Sequence, residues 1–207
     1  ADLSGIWPRV RLLVHSRNLG YGAALRTGFQ AARYELVAFT DADRQFYLDD
    51  LEALVNLTDD SHVVVGIRVN RQDPWRRRFL SKGYNLLART FLGTGIRDVD
   101  CALKVFRKEA LEYLLPETCG FFVNTEMISR ARRFGWSVAE VDVRHRPRTK
   151  GSSKVSMMDV PRTFATLLRY WWKNVVWAEP ISAPVFGEPV ILQFPARQPA
   201  AAFRRAA

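Results

Sequence analysis

Residues 36–50 read LVAFTDADRQFYLDD. A mostly apolar run, Leu36 to Thr40, leads straight into two aspartates one residue apart, Asp41 and Asp43, with Arg44 next. Like charges this close repel unless a cation stands between them. In open α/β sheets, ligands sit beyond the carboxyl ends of the strands. A strand ending on Asp-Ala-Asp is therefore expected to aim both carboxylates to one side of such an end. A hard divalent cation, Mg2+ or Mn2+, would relieve the repulsion, because it prefers few carboxylates plus substrate phosphates. Gln45 would add a neutral oxygen. The competing reading makes Asp41 the cap of a helix beginning near Tyr47.

The segments around this stretch alternate. Val10–Val14 reads as a short strand. The glycine-bearing NLGYGAALRTGF opens a helix with apolar or small residues at Ala24, Leu25, Gly28, Phe29 and Ala32. A helix is expected after Phe46, on Leu48, Leu51, Leu54 and Val55, then a third strand over 62–69. Strand–helix alternation predicts an α/β class with a largely parallel sheet. Further on, 76–92 reads as a helix with Phe79, Leu80, Tyr84, Leu87 and Phe91 as its apolar stripe. Arg78, Lys82, Asn85 and Arg89 fall on another side. A short strand and a helix from Lys108 follow, then a helix over 124–134 ended by Gly135, and a strand with Val138, Val141 and Val143. The last helix spans 155–177 and crowds Trp171, Trp172 and Trp177 at its end. Phe164 and Leu167 are expected to pack on the sheet. Beyond Ala178 the composition turns to Pro, Ala and Arg. The expected division is one domain over 1–178 and a disordered tail over 179–207.

The chain has 207 residues with 48% hydrophobic and 25% charged side chains, which describes a globular domain. Its formal net charge of +10 calls for an anionic partner. The basic residues cluster beside a carboxylate pair that would repel a nucleic-acid backbone, so nucleic acid is not expected as the partner. Two cysteines, Cys101 and Cys119, make no disulfide framework and fit a reducing compartment. No run reaches the length of a membrane span.

Five segments then stand in order: NLGYGAALRTGF, VAFTDADRQF, RDVDCALKVFRKEAL, TEMISRARRFGW and PRTKGSSK. In this order and spacing, over about residues 10–177, the chain resembles family 2 glycosyltransferases of the dolichyl-phosphate mannose synthase, or polyprenyl-phosphate glycosyltransferase, type. The resemblance implies a GT-A fold. It implies inverting transfer of a hexose from GDP-mannose or UDP-glucose to polyprenyl or dolichyl phosphate at the cytoplasmic membrane face. It makes Asp41, Asp43 and Gln45 a Mg2+ or Mn2+ site, and Asn18, Gly20, Gly22 and Asp41 the donor side. Asp98, given a catalytic role in orienting the acceptor or acting as a base, opens the segment near the transfer centre, where Ala102 and Leu103 replace the family's Gly and Phe. Arg148, Gly151, Ser153 and Lys154 match a loop over the phosphates, with Arg148 and Lys154 in catalytic roles. Arg77 and Ser81 lie at the acceptor phosphate. The family's first two strands, ending in P-x-Y-N-E-like and D-D-G-S motifs, have no counterpart here. An inactive remnant or a lipid-surface binding module is therefore the competing class.

Other residues have plainer readings. Asp98 competes as an ion pair with Arg97 or Lys104, Asp100 is as much surface as site, and Glu126 is either a family acidic position or a first-turn helix charge. Cys101 is expected to be packed. The three indoles of the last helix, beside Arg169 and Lys173, suit the headgroup layer, so peripheral membrane contact through 156–177 is expected.

Overall fold

The computed structural model of the chain describes residues 9–69, 75–147 and 159–178, without the side chains of Arg76, Arg77, Asp159 and Val160. Four strands make one sheet: β1 (Leu36–Thr40), β2 (Val63–Val69), β3 (Leu103–Arg107) and β4 (Val138–Arg144), in the spatial order β1-β3-β2-β4. Around it lie α1 (Tyr21–Ala31), α2 (Leu51–Val55, led in by a 3-10 turn over Leu48–Asp50), α3 (Trp75–Leu92), α4 (Lys108–Leu114), α5 (Val123–Arg133) and α6 (Asp159–Trp171).

The α/β class holds, but the largely parallel sheet does not. β2 and β4 pair in parallel, whereas β3 runs antiparallel to both β1 and β2. Three strands thus point one way, and the reversed strand sits among them. Its position explains its composition. Leu103 to Phe106 are all buried, as befits a strand covered on both faces, and each large apolar side chain there contributes about 1.5–3 kcal/mol. Phe29 of α1 closes one face with edge contacts to Phe39 at 6.0 Å and Phe106 at 5.6 Å. Met127 and Ile128 of α5 join the same core.

Three further expectations change. Val10–Val14 forms no strand: its side chains are exposed, Val14 to 76%, and Arg11 reaches the Ala31 carbonyl instead of a ladder partner. An apolar run becomes a strand only when a neighbour satisfies its backbone. The stripe on α3 is shifted. Asn85, Ala88 and Leu92 are buried, while Phe79 is 71% exposed and Leu80 is also exposed. Only the second half of the helix meets the body, where Leu87 and Phe91 pack with Leu168 and Trp171 around buried Leu92, Phe122, Leu167 and Tyr170. Leu167 is buried, but among Leu92, Phe122 and Tyr170 and not on the sheet, and Phe164 faces outward. α6 ends in a π-helical turn, Trp172–Val176. Among the described residues no helix is long and apolar enough to cross a membrane.

Candidate active site

The strand directions bring four chain segments to one edge of the sheet. β1, β2 and β4 end there and β3 begins there. Thr40, the last residue of β1, pairs with Leu103, the first of β3, so Asp41 leaves the sheet where Ala102 enters it. Arg68, next to last in β2, reaches the same edge.

The aspartate turn is built from its own backbone. Asp41 and Asp43 are half-buried. The Gln45 amide donates to Asp43 Oδ1 at 3.2 Å, and Arg44 between them has φ 62°, the left-handed region that non-glycine residues enter at a cost of about 1–2 kcal/mol. The Tyr21 hydroxyl donates to Asp41 Oδ1 at 3.3 Å, and burial first, then the Asp41 charge, pushes its pKa up. Gln45 is buried. Its Nε2 donates to the Arg146 carbonyl at 3.2 Å, and the Arg146 amide donates back to the Gln45 carbonyl at 2.8 Å. Tyr47 continues this seam with Arg144 and Arg146 over its ring, 4.4 and 3.6 Å from the centroid. The helix that follows starts at Leu48 with Tyr47 as its cap residue, so Asp41 is not that cap. Among the described residues no three His, Cys, Asp or Glu side chains gather to hold a metal. Two carboxylates at a strand end suit a hard cation that takes its remaining ligands from phosphate and water, not a closed protein cage.

The second turn, 98–102, is held from every side. Asp98 is 4% exposed, and the ion pair it makes is with Arg68, 2.7 Å away. Arg68 grips it in a fork: Nε to Oδ2 and Nη2 to Oδ1, both at 2.7 Å, with the Arg68 amide adding a bond at 3.3 Å. Burial alone would lower the Arg68 pKa, but the hydrogen bonds and charge of Asp98 raise it, so the guanidinium stays charged. Arg97 instead meets Glu140 and Asp142. The Val99 amide donates to Asn85 Oδ1 at 2.8 Å. Lys104, at 1% exposure, donates to the Cys101 carbonyl and to Asn124 Oδ1 at 3.0 Å. Burial lowers its pKa against the opposing pull of Cys101, Asp100 and Asp98. Cys101 is fully buried and its thiol is pushed up to about 12, chiefly by burial, so it is packed and unreactive. Arg68 and Tyr21 carry no signal in the sequence that singles them out, and Asn85 and Lys104 stand there only as part of a polar helix face and as a candidate ion-pair partner. Lys104 carries one further signal, a lone cation inside CALKVF.

The glycine loop is tied to the body by close packing. Asn18 Oδ1 accepts from the Gly20 amide at 2.9 Å, Gly20 has φ 92°, and the Gly22 amide donates to the Cys119 carbonyl at 3.0 Å. A methyl group at Gly22 would overlap the Thr118 carbonyl, so glycine is required by this approach. Glu126 organises the opposing loop. It is 1% exposed and accepts from the Glu117 amide at 2.8 Å, the Thr118 amide at 3.0 Å and the Thr118 hydroxyl at 2.6 Å. It is thus a first-turn charge of α5 that is buried and anchors the loop. Ser81 is half-buried, and its hydroxyl and carbonyl accept from Asn85 Nδ2. The Arg77 side chain, Arg148, Gly151, Ser153, Lys154 and the 179–207 tail lie outside the described residues.

Known proteins resemble the chain in sequence and in fold. The family model for glycosyl transferase family 2 matches residues 1–115. The chain belongs to glycosyl transferase family 2. Glycosyltransferase AglD of Haloferax volcanii is 34% identical to this family 2 chain over 177 residues, covering 81% of the chain and 28% of the relative. The undecaprenyl-phosphate 4-deoxy-4-formamido-L-arabinose transferase of Serratia proteamaculans is 32% identical over 144 residues, covering 69% of the chain and 43% of the relative. The chain therefore spans less than half the length of either curated relative. Among solved structures, glucosyl-3-phosphoglycerate synthase from Mycobacterium tuberculosis in complex with uridine diphosphate superposes with a TM-score of 0.55 at 18% identity, over 81% of this chain and 59% of that one. The same enzyme with Mn2+, UDP-glucose and glycerol 3-phosphate gives 0.54 at 17% identity, over 82% and 58%. At that identity the likeness concerns the fold, which is GT-A.

Proposed function

We propose that the chain transfers a hexose, with inversion, from GDP-mannose or UDP-glucose to a polyprenyl or dolichyl phosphate at the cytoplasmic membrane face. The observation that carries this reading is the half-buried Asp41–Asp43 pair at the end of β1, beside a preorganised polar cluster. Relatives whose names state transfer to undecaprenyl phosphate support it. Asp41 and Asp43, with Gln45, would hold Mg2+ or Mn2+; a divalent ion there supplies electrostatic stabilisation to the departing nucleoside diphosphate. Tyr21 orients Asp41 by its hydrogen bond. Asn18, Gly20 and Gly22 set the start of α1 on the donor side. Arg148 and Lys154 act on the phosphates of donor or acceptor, and Arg77 and Ser81 on the acceptor phosphate. That phosphate is already ionised near neutral pH, so the chain has little need of a strong base, and Asp98 serves through its fork with Arg68.

The outer surface fits a lipid acceptor. Trp75, Phe79 and Leu86 of α3 are exposed beside Arg78 and Lys82, and Trp172 and Trp177 are exposed beside Arg169 and Lys173. Aromatics mixed with cations suit an anionic headgroup layer. The same surface also suits a non-catalytic lipid-surface module. One experiment separates the two. Vesicles containing anionic lipid and undecaprenyl phosphate are incubated with the chain, Mn2+ and each nucleotide sugar, then floated and extracted. Lipid-linked hexose that requires Mn2+ and disappears in Asp43→Asn is expected. Flotation without product would leave the binding module, and neither would end the lipid reading.

A further inference from the structure

Two Asp-x-Asp tripeptides flank the same sheet edge: Asp41-Ala42-Asp43 on the strand that leaves and Asp98-Val99-Asp100 on the segment that enters. In the second, Asp98, Val99, Cys101 and Ala102 are all buried, and Asp100 alone keeps partial exposure. The bonds from Arg68 to Asp98, from Val99 to Asn85 and from Lys104 to the Cys101 carbonyl fix the turn on both sides of Asp100. The result is a rigid mount for one carboxylate, next to the point where Asp41 leaves the sheet.

We infer that Asp100 contacts the donor, accepting hydrogen bonds from hydroxyl groups of its sugar, and so helps to determine which sugar is transferred. This rests on the nucleotide-sugar reading above. Two other ligands fit Asp100 less well. Asp100 does not join Asp41 and Asp43 in a three-carboxylate metal group. A carboxylate beside a diphosphate repels it, whereas a sugar ring attached to that diphosphate offers hydroxyl donors within the same few ångströms. An ionised carboxylate is acceptor-only, and charged hydrogen bonds of this kind are about twice as strong as neutral ones. The Tyr21 phenol supports the placement: burial raises its pKa first, and both Asp41 and Asp100 raise it further.

The test is calorimetry of the chain with Mn2+ and four probes: UDP, GDP, UDP-glucose and GDP-mannose. The native chain is expected to bind one nucleotide sugar more tightly than its nucleoside diphosphate. Asp100→Asn should lose about tenfold or more of that sugar's affinity while its affinity for the diphosphate stays within about twofold. An unchanged sugar-to-diphosphate ratio, or loss of diphosphate binding itself, overturns the inference and leaves the transferase reading standing. A native chain that binds no diphosphate with Mn2+ overturns both. Nucleotide sugars lacking single hydroxyls, titrated into the native chain, read the same contact without any substitution. A loss of about tenfold at one position supports the inference, and equal affinity across the series overturns it.

Discussion

The turns at 41–45 and 98–102 carry the same Asp-x-Asp pattern and meet at one sheet edge, yet they are built in opposite ways. The first is shaped by its backbone: an amide from Gln45 to Asp43, a left-handed Arg44, and a seam to Arg146. Its two carboxylates remain half-buried. The second is shaped by side chains drawn from β2, α3 and β3, and its leading carboxylate is buried in the Arg68 fork. The difference teaches that one tripeptide pattern at one sheet edge can be held by local backbone bonds in one turn and by side chains from three elements in the other.

The largest effect should come from breaking the fork. Asp98→Asn leaves Arg68 charged and buried, and should cost about 3–5 kcal/mol in denaturant unfolding. Joint replacement by Arg68→Met and Asp98→Leu should recover most of it, because neither buried charge remains. A loss under about 1 kcal/mol for Asp98→Asn would place the pair among exposed bridges and dissolve the contrast between the turns. A smaller effect is expected at the seam. Gln45→Leu keeps the packing but leaves the Arg146 carbonyl without its side-chain donor, costing about 1–2 kcal/mol by the same measurement. A neutral result would mean that the backbone bond alone holds the turn. The smallest belongs to Asp43→Asn. The amide oxygen can still accept from the Gln45 amide, so stability should move by no more than about 0.5 kcal/mol, while the metal-linked heat of nucleoside diphosphate binding disappears. A large fall in melting temperature would make Asp43 a structural residue like Asp98.

By itself the sequence determined the class of the fold, most elements, and the Asp41–Asp43 turn. Each of these follows from local information: apolar periodicity, turn residues such as Gly135 at φ 72°, and an apolar run ending abruptly in charge. Only the tertiary structure decided the direction of β3, because a strand's side-chain alternation reads the same both ways, and antiparallel pairing is set by the partners on either side. It also decided the partner of Asp98. Arg97 and Lys104 are near in sequence, but Arg68 lies thirty residues upstream and reaches Asp98 from a neighbouring position in the sheet. The burial of α3 was likewise a tertiary matter: periodicity defines stripes on a helix, but the body chooses which stripe it covers. Here it covered Asn85, Ala88 and Leu92 and left Trp75 and Phe79 outside, because the second half of the helix has α6, α5 and the 98–102 turn against it.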